Sequence, residues 1–386
     1  MLRNSNCFTG GLIGCGIIAM SLIVSGAACA GSSLAILHSF AGGSDGADPV
    51  GGVVLASDNN LYGTTFSGGA NNSGTVFRLS LTGNEQVIND TVDSPDATPI
   101  VDKYLNLYGT AMGPDYGTVF RIDADGDATV LHSFYVQGDG EIPAGGLITD
   151  ASGNLYGTTL DGGGGYGTVF EIHYPARTSR TETLLYSFKG PTNDGAVSYS
   201  NLVRDESGNL YGTTEVGGSQ NEGTVFKLSP DGTETVLFEF SNSTGFYPRG
   251  NLIADSDGNL YGTASEGGPY GGPGTIYKIA PDGTETLLYA FGNNGPFDGG
   301  EPNAGVVADA KGNLYGTTTT GGAHGGGTVY RLSPDGKEKI LYSFTGYADG
   351  GGPLAGLTWI GKTVLCGTTS EGGAYGHGTV FTLTLK

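Results

Sequence analysis

The chain has 386 residues, a formal net charge of −21 at pH 7 and 73 glycines. A surface with this much negative charge repels nucleic acid and other polyanions. We therefore expect no nucleic-acid partner and favour a neutral glycan or a protein as the ligand. The 21 tyrosines and 16 phenylalanines suffice for a hydrophobic core. The high glycine content therefore indicates recurring turns and not a disordered chain.

Residues 1–30 have the pattern of a secretory signal peptide. The segment carries one basic residue near its start, Arg3. An apolar run from Leu12 to Val24 follows, and small residues end at Ala28-Cys29-Ala30. The run is too short to span a membrane, so we expect an exported, non-transmembrane protein that is secreted, periplasmic or at the cell surface. Lipidation of Cys29 is the alternative, although it lacks the usual preceding Leu. Residues 31–386 are then one domain.

One motif divides this domain into seven units. Leu-Tyr-Gly-Thr begins at Leu61, Leu107, Leu155, Leu210, Leu260 and Leu314, and a seventh copy reads Leu365-Cys366-Gly367-Thr368. Because Cys366 takes the place of a repeated Tyr, we expect a small buried side chain there and not a nucleophile. The copies lie 46–55 residues apart, which is the length of a small four-stranded sheet with its loops.

Each unit carries four strand patterns and the chain beyond residue 30 shows no helical periodicity. The first pattern is an apolar stretch such as residues 250–255, and the second is the Leu-Tyr-Gly-Thr segment. The third follows a glycine-rich loop, as in residues 223–228, and the fourth follows a Pro-Asp-Gly turn, as in residues 234–240. This pattern predicts an all-β fold, a seven-bladed β-propeller of four-stranded antiparallel blades.

The two ends of the domain are out of phase with the units. Residues 35–40 match a fourth strand, as a comparison with residues 130–134 shows, whereas the chain ends on a third strand at residues 378–383. An open array leaves this mismatch unexplained. In a closed ring the N-terminal strand completes the last blade, so we expect residues 34–40 to pair with residues 378–384.

The units resemble the GloVer (Gloeobacter/Verrucomicrobia-type) tandem repeat of exported bacterial proteins. The resemblance rests on G-N-L-Y-G-T-T-x-x-G-G, G-T-V-F-x-L-x-P-D-G and E-T-x-L-Y-S-F, and it covers residues 34–386. It implies a propeller and supplies no catalytic residue. The absence of a recurring Trp-Asp pair and the presence of one Trp argue against the WD40 and kelch families.

Acidic residues recur in the loops that join one blade to the next, and these loops should share a face with those between second and third strands. Five of these loops carry an Asp-Gly pair, at Asp45, Asp139, Asp194, Asp298 and Asp349. One interpretation is a turn in which Asp binds its own backbone. The other is an acidic ring at the mouth of the central channel that attracts a cation.

Other candidate residues break the repeat pattern on the same loops. Glu141, Glu301 and Arg249 are candidates to face the channel, and a pair such as Glu141 and Glu301 can do acid–base work only at a suitable separation. The exposed aromatic Tyr375 is of the kind that stacks on sugars, and His324 and His377 lie in neighbouring loops. The segments 123–127 and 255–258 resemble fragments of calcium loops but lack the distal Glu, so we expect no cofactor, with Ca²⁺ as the alternative.

The sequence favours a monomeric binding or scaffold module for a glycan or protein over an enzyme, because no catalytic constellation is evident. The alternative is a secreted carbohydrate-active enzyme, a polysaccharide lyase or glycoside hydrolase, with its site at the channel mouth. A purely structural component of the cell envelope is the third hypothesis.

Overall fold

The repeated units fold into seven four-stranded antiparallel blades arranged in a ring. The computed structural model describes residues 32–113, 115–135, 138–173, 182–192, 194–269, 271–295 and 297–386. The predicted signal peptide and Cys29 therefore lie outside the described residues. In each blade the first strand lies nearest the axis and the fourth lies at the outer edge.

The strands follow in chain order from the axis outward. Blades 1 to 3 comprise Val54–Leu55, Asn60–Thr65, Thr75–Ser80 and Glu85–Asn89; Ile100–Val101, Leu107–Ala111, Thr118–Ile122 and Ala128–Ser133; and Ile148–Thr149, Leu155–Thr158, Thr168–Ile172 and Glu182–Ser187. Blades 4 to 6 comprise Val203–Arg204, Leu210–Thr214, Thr224–Leu228 and Glu234–Glu239; Ile253–Ala254, Leu260–Ala264, Thr275–Ile279 and Glu285–Ala290; and Val307–Ala308, Leu314–Thr318, Thr328–Leu332 and Glu338–Ser343.

Blade 7 combines the two ends of the chain. Its first three strands are Thr358–Ile360, Val364–Thr369 and Thr379–Leu385, and its fourth is Ser32–Ser39. Leu34 pairs with Leu383 and Ser39 with Thr379, which confirms the predicted ring closure. Small additional pairs join Gly195–Ala196 to Val216–Gly217 and Gly299–Gly300 to Thr320–Gly321, and a short 3₁₀ helix spans Gly43–Asp45.

The described part of the chain holds its hydrophobic core in the seams between blades. In the seam between blades 4 and 5, Val225 and Phe240 of one blade pack with Leu252, Leu260 and Tyr277 of the next. At most seams the Phe that directly follows the fourth strand meets the third-strand aromatic ring of the next blade edge-on, with centroids 4.9–5.3 Å apart. Each blade is apolar on both faces, so each depends on two neighbours for stability.

Hydrogen bonds from the repeated Thr also cross these seams. The hydroxyl of Thr64 donates to the backbone carbonyl of Ala97 in the next blade at 3.1 Å, and Thr368 donates to Gly51 across the closing seam at 3.0 Å. Because these hydroxyls are buried, each bond satisfies a polar group that water cannot reach. None of the helices in the described ranges has the length and apolar content needed to cross a membrane.

The repeated Gly of Leu-Tyr-Gly-Thr makes room for the third-strand aromatic ring. A Cβ on Gly157 would lie 2.5 Å from Cζ of Phe170, which is closer than carbon atoms approach. We expect Gly157→Ala to lower the free energy of unfolding by about 1–3 kcal/mol, because the ring must leave its packed position.

Denaturant unfolding measures this cost, with Gly164→Ala as a matched control in the same blade. A Cβ on Gly164 would meet only the Phe188 carbonyl oxygen, at 3.8 Å. Equal free energies of unfolding for the two variants would contradict the steric explanation.

Removal of the hydroxyl group should change stability in opposite directions at two buried tyrosines of blade 6. Tyr330 is fully buried and its Oη has no hydrogen-bond partner among the described residues, whereas Tyr342 donates to Oδ2 of Asp349 at 2.9 Å. Tyr330→Phe should therefore raise the free energy of unfolding, and Tyr342→Phe should lower it, each by about 1–3 kcal/mol. Denaturant unfolding of both variants checks the prediction, which is wrong if the two changes have the same sign.

Candidate functional site

The seven blade-joining loops share one backbone conformation, which directs the chain toward the axis of the ring. Each loop contains a residue with a left-handed φ of 55–61°, and these residues are Asp48, Ser94, Ile142, Val197, Tyr247, Glu301 and Gly352. Their N–H groups donate to the preceding blade's loop between second and third strands, as Glu301 does to the Pro273 carbonyl at 2.7 Å. The surrounding bonds hold a conformation that costs energy in non-glycine residues.

Two positions later the chain lines a cavity of about 410 Å³ on the axis. The residues at this position are Val50, Asp96, Ala144, Tyr199, Arg249, Asn303 and Leu354. Consecutive blades 4, 5 and 6 supply Tyr199, Arg249 and Asn303, and blades 7 and 1 supply the apolar Leu354 and Val50. The cavity therefore has a polar arc and an apolar arc. Tyr199 is 39% exposed, so its ring is accessible from the face of the blade-joining loops.

Arg249 is fixed in this cavity by an ion pair and two aromatic rings. Its Nη2 lies 2.6 Å from Oε1 of Glu215, which is 13% exposed. Its guanidinium lies 5.8 Å from the centroid of the Tyr199 ring and 5.7 Å from that of Tyr247. The charge of Arg249 is thus balanced locally, while the planar group remains beside the cavity.

Asp96 presents a second polar group on the cavity wall. Its Oδ1 has no hydrogen-bond partner among the described residues. Burial raises the pKa of Asp96 well above its ordinary value, because a carboxylate loses hydration there. Burial and the charge of Glu215 also raise the pKa of Tyr199. The protonated forms of both groups are thereby favoured, and the wall offers hydrogen bonds with little net charge.

Asparagine side chains brace the ring around the axis. Asn201 accepts a hydrogen bond from the Gly146 N–H at 2.6 Å, and Asn251 accepts one from the Asn201 N–H at 2.7 Å. Each bond joins adjacent blades through Oδ1. Both side chains line the cavity and so carry an amide N–H₂ group at its wall.

The structure places the five predicted Asp residues away from the described residues that line this cavity. Each lies beside the His or Tyr near the end of the preceding fourth strand and accepts its hydrogen bond. The partners are His38 for Asp45, His132 for Asp139, Tyr186 for Asp194, Tyr289 for Asp298 and Tyr342 for Asp349. Loop N–H groups donate to the same carboxylates, such as Ala41 to Asp45 at 2.6 Å. These contacts support the turn interpretation over a ring of acids at the channel mouth.

A glutamate from the next blade approaches four of these Asp residues. Glu85, Glu182, Glu234 and Glu338 begin the fourth strands of their blades, and Oε1 of each is buried without a hydrogen-bond partner among the described residues. Burial, together with the charge of the neighbouring Asp, raises the pKa of each to about 7. Four seams thus place a partly buried glutamate, whose carboxyl holds its proton more tightly than a solvent-exposed one, beside an aspartate.

The other predicted residues lie on the loops without forming a common site in the described structure. Glu301 occupies the left-handed position, whereas Glu141 precedes that position and pairs its backbone with Asp161, so the two are not equivalent. His324, Tyr375 and His377 are exposed in the loops between second and third strands. Neither glutamate lines the axial cavity, so the cavity does not bring the predicted carboxylate pair together.

Both segments that resemble calcium loops are turns closed by their own backbone. Oδ1 of Asp123 accepts the N–H groups of Asp125 and Asp127, and Oδ1 of Asp255 accepts those of Asp257 and Asn259. The Asp255 turn recurs in other blades, where the same Asp also accepts the hydroxyl of the Leu-Tyr-Gly-Thr tyrosine. These carboxylates serve the hairpins.

Of the predicted site residues, Arg249 lies at the axial cavity, and the sequence reasoning missed Asp96, Tyr199 and Asn303. A signal for them was present. When the seven units are aligned, these residues occupy one position, and that position holds a different residue type in each unit. The nearby Leu-Tyr-Gly-Thr motif is nearly constant.

The chain matches one protein family. The model of the Gloeobacter/Verrucomicrobia repeat matches residues 23–204, 86–272 and 250–386. The chain belongs to this family. No curated protein sequence matches it.

Several solved structures share the propeller fold at low sequence identity. The extracellular domain of BT4673 from B. thetaiotaomicron is 12% identical with a TM-score of 0.57, over 92% of this chain and 42% of that one. PorZ, a surface component of the type-IX secretion system of Porphyromonas gingivalis, is 18% identical with a TM-score of 0.53, over 85% and 46%. The gluconolactonase XC5397 from Xanthomonas campestris is 15% identical with a TM-score of 0.48, over 92% and 90%. The first two similarities support the fold alone.

The seam glutamates predict how stability changes with pH. In the unfolded chain these glutamate carboxyls have the ordinary pKa of 4.5. In the folded chain the pKa of Glu234, which lies beside Tyr186, Lys189 and Asp194, is about 7. The pKa of Glu338, which lies beside Tyr289, Asn294 and Asp298, is also about 7. Between these values the folded state binds more protons, so the free energy of unfolding falls as pH rises from 4.5 to 7. The double variant Glu234→Gln/Glu338→Gln should show a shallower fall.

Denaturant unfolding across this pH range measures the slope. Glu206→Gln, which changes an exposed hairpin residue, should keep the slope of the wild type. A double variant with the wild-type slope would show that these carboxyls do not bind protons differently in the two states.

Proposed function

We propose that the chain is an exported, non-enzymatic binding propeller that recognises a neutral glycan on the face of its blade-joining loops. The end of the glycan occupies the axial cavity. The observation that carries the proposal is the composition of the cavity wall, where a scaffold of near-identical blades supplies a different residue from each blade.

The size and chemistry of the cavity fit a sugar residue. A volume of about 410 Å³ lies within the range of small-ligand sites. Sugars present hydroxyl groups at their edges and C–H groups on their faces. The arc of Tyr199, Arg249 and Asn303 supplies hydrogen bonds, and the arc of Leu354 and Val50 supplies apolar contact.

The charges at the cavity favour a ligand without net charge. Arg249 is paired with Glu215, and burial favours the protonated form of Asp96. An anionic ligand would have to compete with Glu215 for Arg249, and it would also meet the field of a chain with net charge −21. A neutral polyhydroxyl compound has neither cost.

The surrounding loop face carries more surface for such a ligand. Apart from Tyr104, the exposed large aromatic residues of the described chain lie on loops of this face: Phe66, Tyr135, Tyr166, Tyr199, Phe297, Tyr347 and Tyr375. Aromatic rings stack on the C–H faces of sugars and lose little conformational entropy on binding. Several sugar units of a longer glycan can therefore contact the face.

Export is part of the proposal and follows from the signal-peptide pattern of residues 1–30, which agrees with the exported proteins that the repeat resembles. The function is then exercised outside the cytoplasm, where polysaccharides are accessible.

Glycan-array binding, followed by calorimetry with the best neutral oligosaccharide, tests the proposal. Tyr199→Ala should weaken binding about tenfold or more, because a stacking platform contributes on the order of 1.4 kcal/mol. Asn303→Ala should also weaken it, because a hydrogen bond to the sugar is lost.

Tyr104→Ala is the matched control, since Tyr104 is an exposed tyrosine on the hairpin at the opposite face, and it should bind like the wild type. Binding that survives Tyr199→Ala unchanged would exclude the axial cavity as the site. Cleavage of the bound polysaccharide, lost in Glu301→Gln or His324→Ala, would instead support the carbohydrate-active enzyme.

A further inference from the structure

The seams between blades form a series in which one geometry is repeated with different side chains. Strand register makes one position near the end of each fourth strand equivalent from seam to seam, and likewise one position at or near the start of the fourth strand in the next blade. The pairs of equivalent positions are His38 with Glu85, His132 with Glu182, Tyr186 with Glu234, Phe238 with Glu285, Tyr289 with Glu338, Tyr342 with Leu34, and Asn89 with Ala128. The two seams that contain histidine also contain both an Asp and a Glu.

In these two seams the ligand-type atoms converge. His38, Asp45 and Glu85 form one cluster and His132, Asp139 and Glu182 form the other, and within each cluster the nitrogen and oxygen atoms all lie within 4.8 Å of one another. Nε2 of His38 lies 3.1 Å from Oδ1 of Asp45, and Nε2 of His132 lies 3.1 Å from Oδ2 of Asp139. We call these the two histidine clusters.

We propose that each histidine cluster binds a Zn²⁺ ion through one imidazole nitrogen and two carboxylate oxygens, and that the ions join blade 7 to blade 1 and blade 2 to blade 3. Imidazole and carboxylate are ligands that zinc takes at about 2.0–2.2 Å, and tetrahedral bonds of that length separate ligand atoms by roughly 3.3 Å. The observed nitrogen–oxygen separation of 3.1 Å is close to that value.

The glutamate supplies the independent reason to expect a cation. Oε1 of Glu85 and Oε1 of Glu182 are buried without a hydrogen-bond partner among the described residues, and each faces a second carboxylate. A metal ion satisfies such an oxygen and removes the repulsion between the two acids.

The tyrosine seams show why the ligand set is specific to histidine. There the phenol donates its proton to the Asp, as Tyr186 does to Asp194 at 2.8 Å and Tyr289 does to Asp298 at 2.9 Å. The pKa of Tyr186 is raised by burial and by its bond to Asp194, so the phenol keeps its proton and offers the ion no anionic oxygen. These seams lack the imidazole ligand and serve as internal controls.

Zinc binding to the whole exported chain, purified without a histidine tag and stripped with a chelator, tests the proposal. Calorimetry and elemental analysis should give about two Zn²⁺ ions per chain, and added zinc should raise the unfolding temperature because the ion binds the folded state. His38→Tyr and His132→Tyr each copy a natural tyrosine seam, so each should fold and should bind about one ion. The double variant should bind none at these sites, although it keeps His173, His324 and His377.

A gain-of-site variant makes the test independent of any loss of folding. Tyr186→His places an imidazole beside Asp194 and Glu234, and it should raise the stoichiometry to about three. Tyr342→His is its matched control, because Leu34 replaces the glutamate in that seam and the third ligand is missing. The proposal is overturned if the wild type binds no more zinc than the double histidine variant, or if Ca²⁺ saturates the same sites as tightly as zinc.

Discussion

The ring depends on the pairing of Ser32–Ser39 with Thr379–Leu385. Every blade is a small sheet that is apolar on both faces, so an open row of blades would expose one apolar face and one strand edge at each end. The N-terminal strand removes both defects, because it completes blade 7 and brings that blade against blade 1. The bond from Thr368 to the Gly51 carbonyl then repeats at the closing seam what its counterparts do at most others. Closure by hydrogen bonds and packing also explains how the described fold is held without a disulfide, since Cys366 is buried and free.

Closure leaves two regions with different freedom to vary. Inside a seam, the third-strand aromatic ring occupies the space above the Gly of Leu-Tyr-Gly-Thr, and the Thr hydroxyl needs its carbonyl partner. A change there disturbs two blades at once. At the axis, the side chains two positions after the left-handed residue line a cavity and do not belong to the hydrophobic clusters of the seams in the described chain. Different residues are therefore tolerated at this position, and chemistry can be built there without loss of the scaffold.

The outer part of each seam, where the fourth strands of two blades meet, is intermediate in its freedom to vary. Their Asp residues tie the blade-joining loop to the fourth strand, and this role persists whether the donor is His38, Tyr186 or Tyr342. The glutamate of the next blade is not needed for that role, since the seam with Tyr342 has Leu34 instead. A partly buried carboxyl beside a carboxylate costs stability, so the recurrence of glutamate beside an Asp in four seams indicates a function that hydrogen bonding in the loop does not explain.

The sequence by itself determined the repeat, the four strands of each blade, the number of blades and the closure of the ring. It could do so because a strand's side chains alternate between faces and a turn needs particular residues, and both constraints recur at a fixed spacing. It also singled out Asp45 and its counterparts, but it did not show their hydrogen-bond partners, which come from other strands.

Only the tertiary structure decided that Asp96, Tyr199 and Arg249 line one cavity and that His38 meets Glu85. These residues lie at least 47 positions apart along the chain and are brought together by the angle between blades. The physical reason is that sequence patterns record what each blade requires of its own backbone and core, whereas a site on the axis or in a seam is formed by the way that separate blades are placed in the ring.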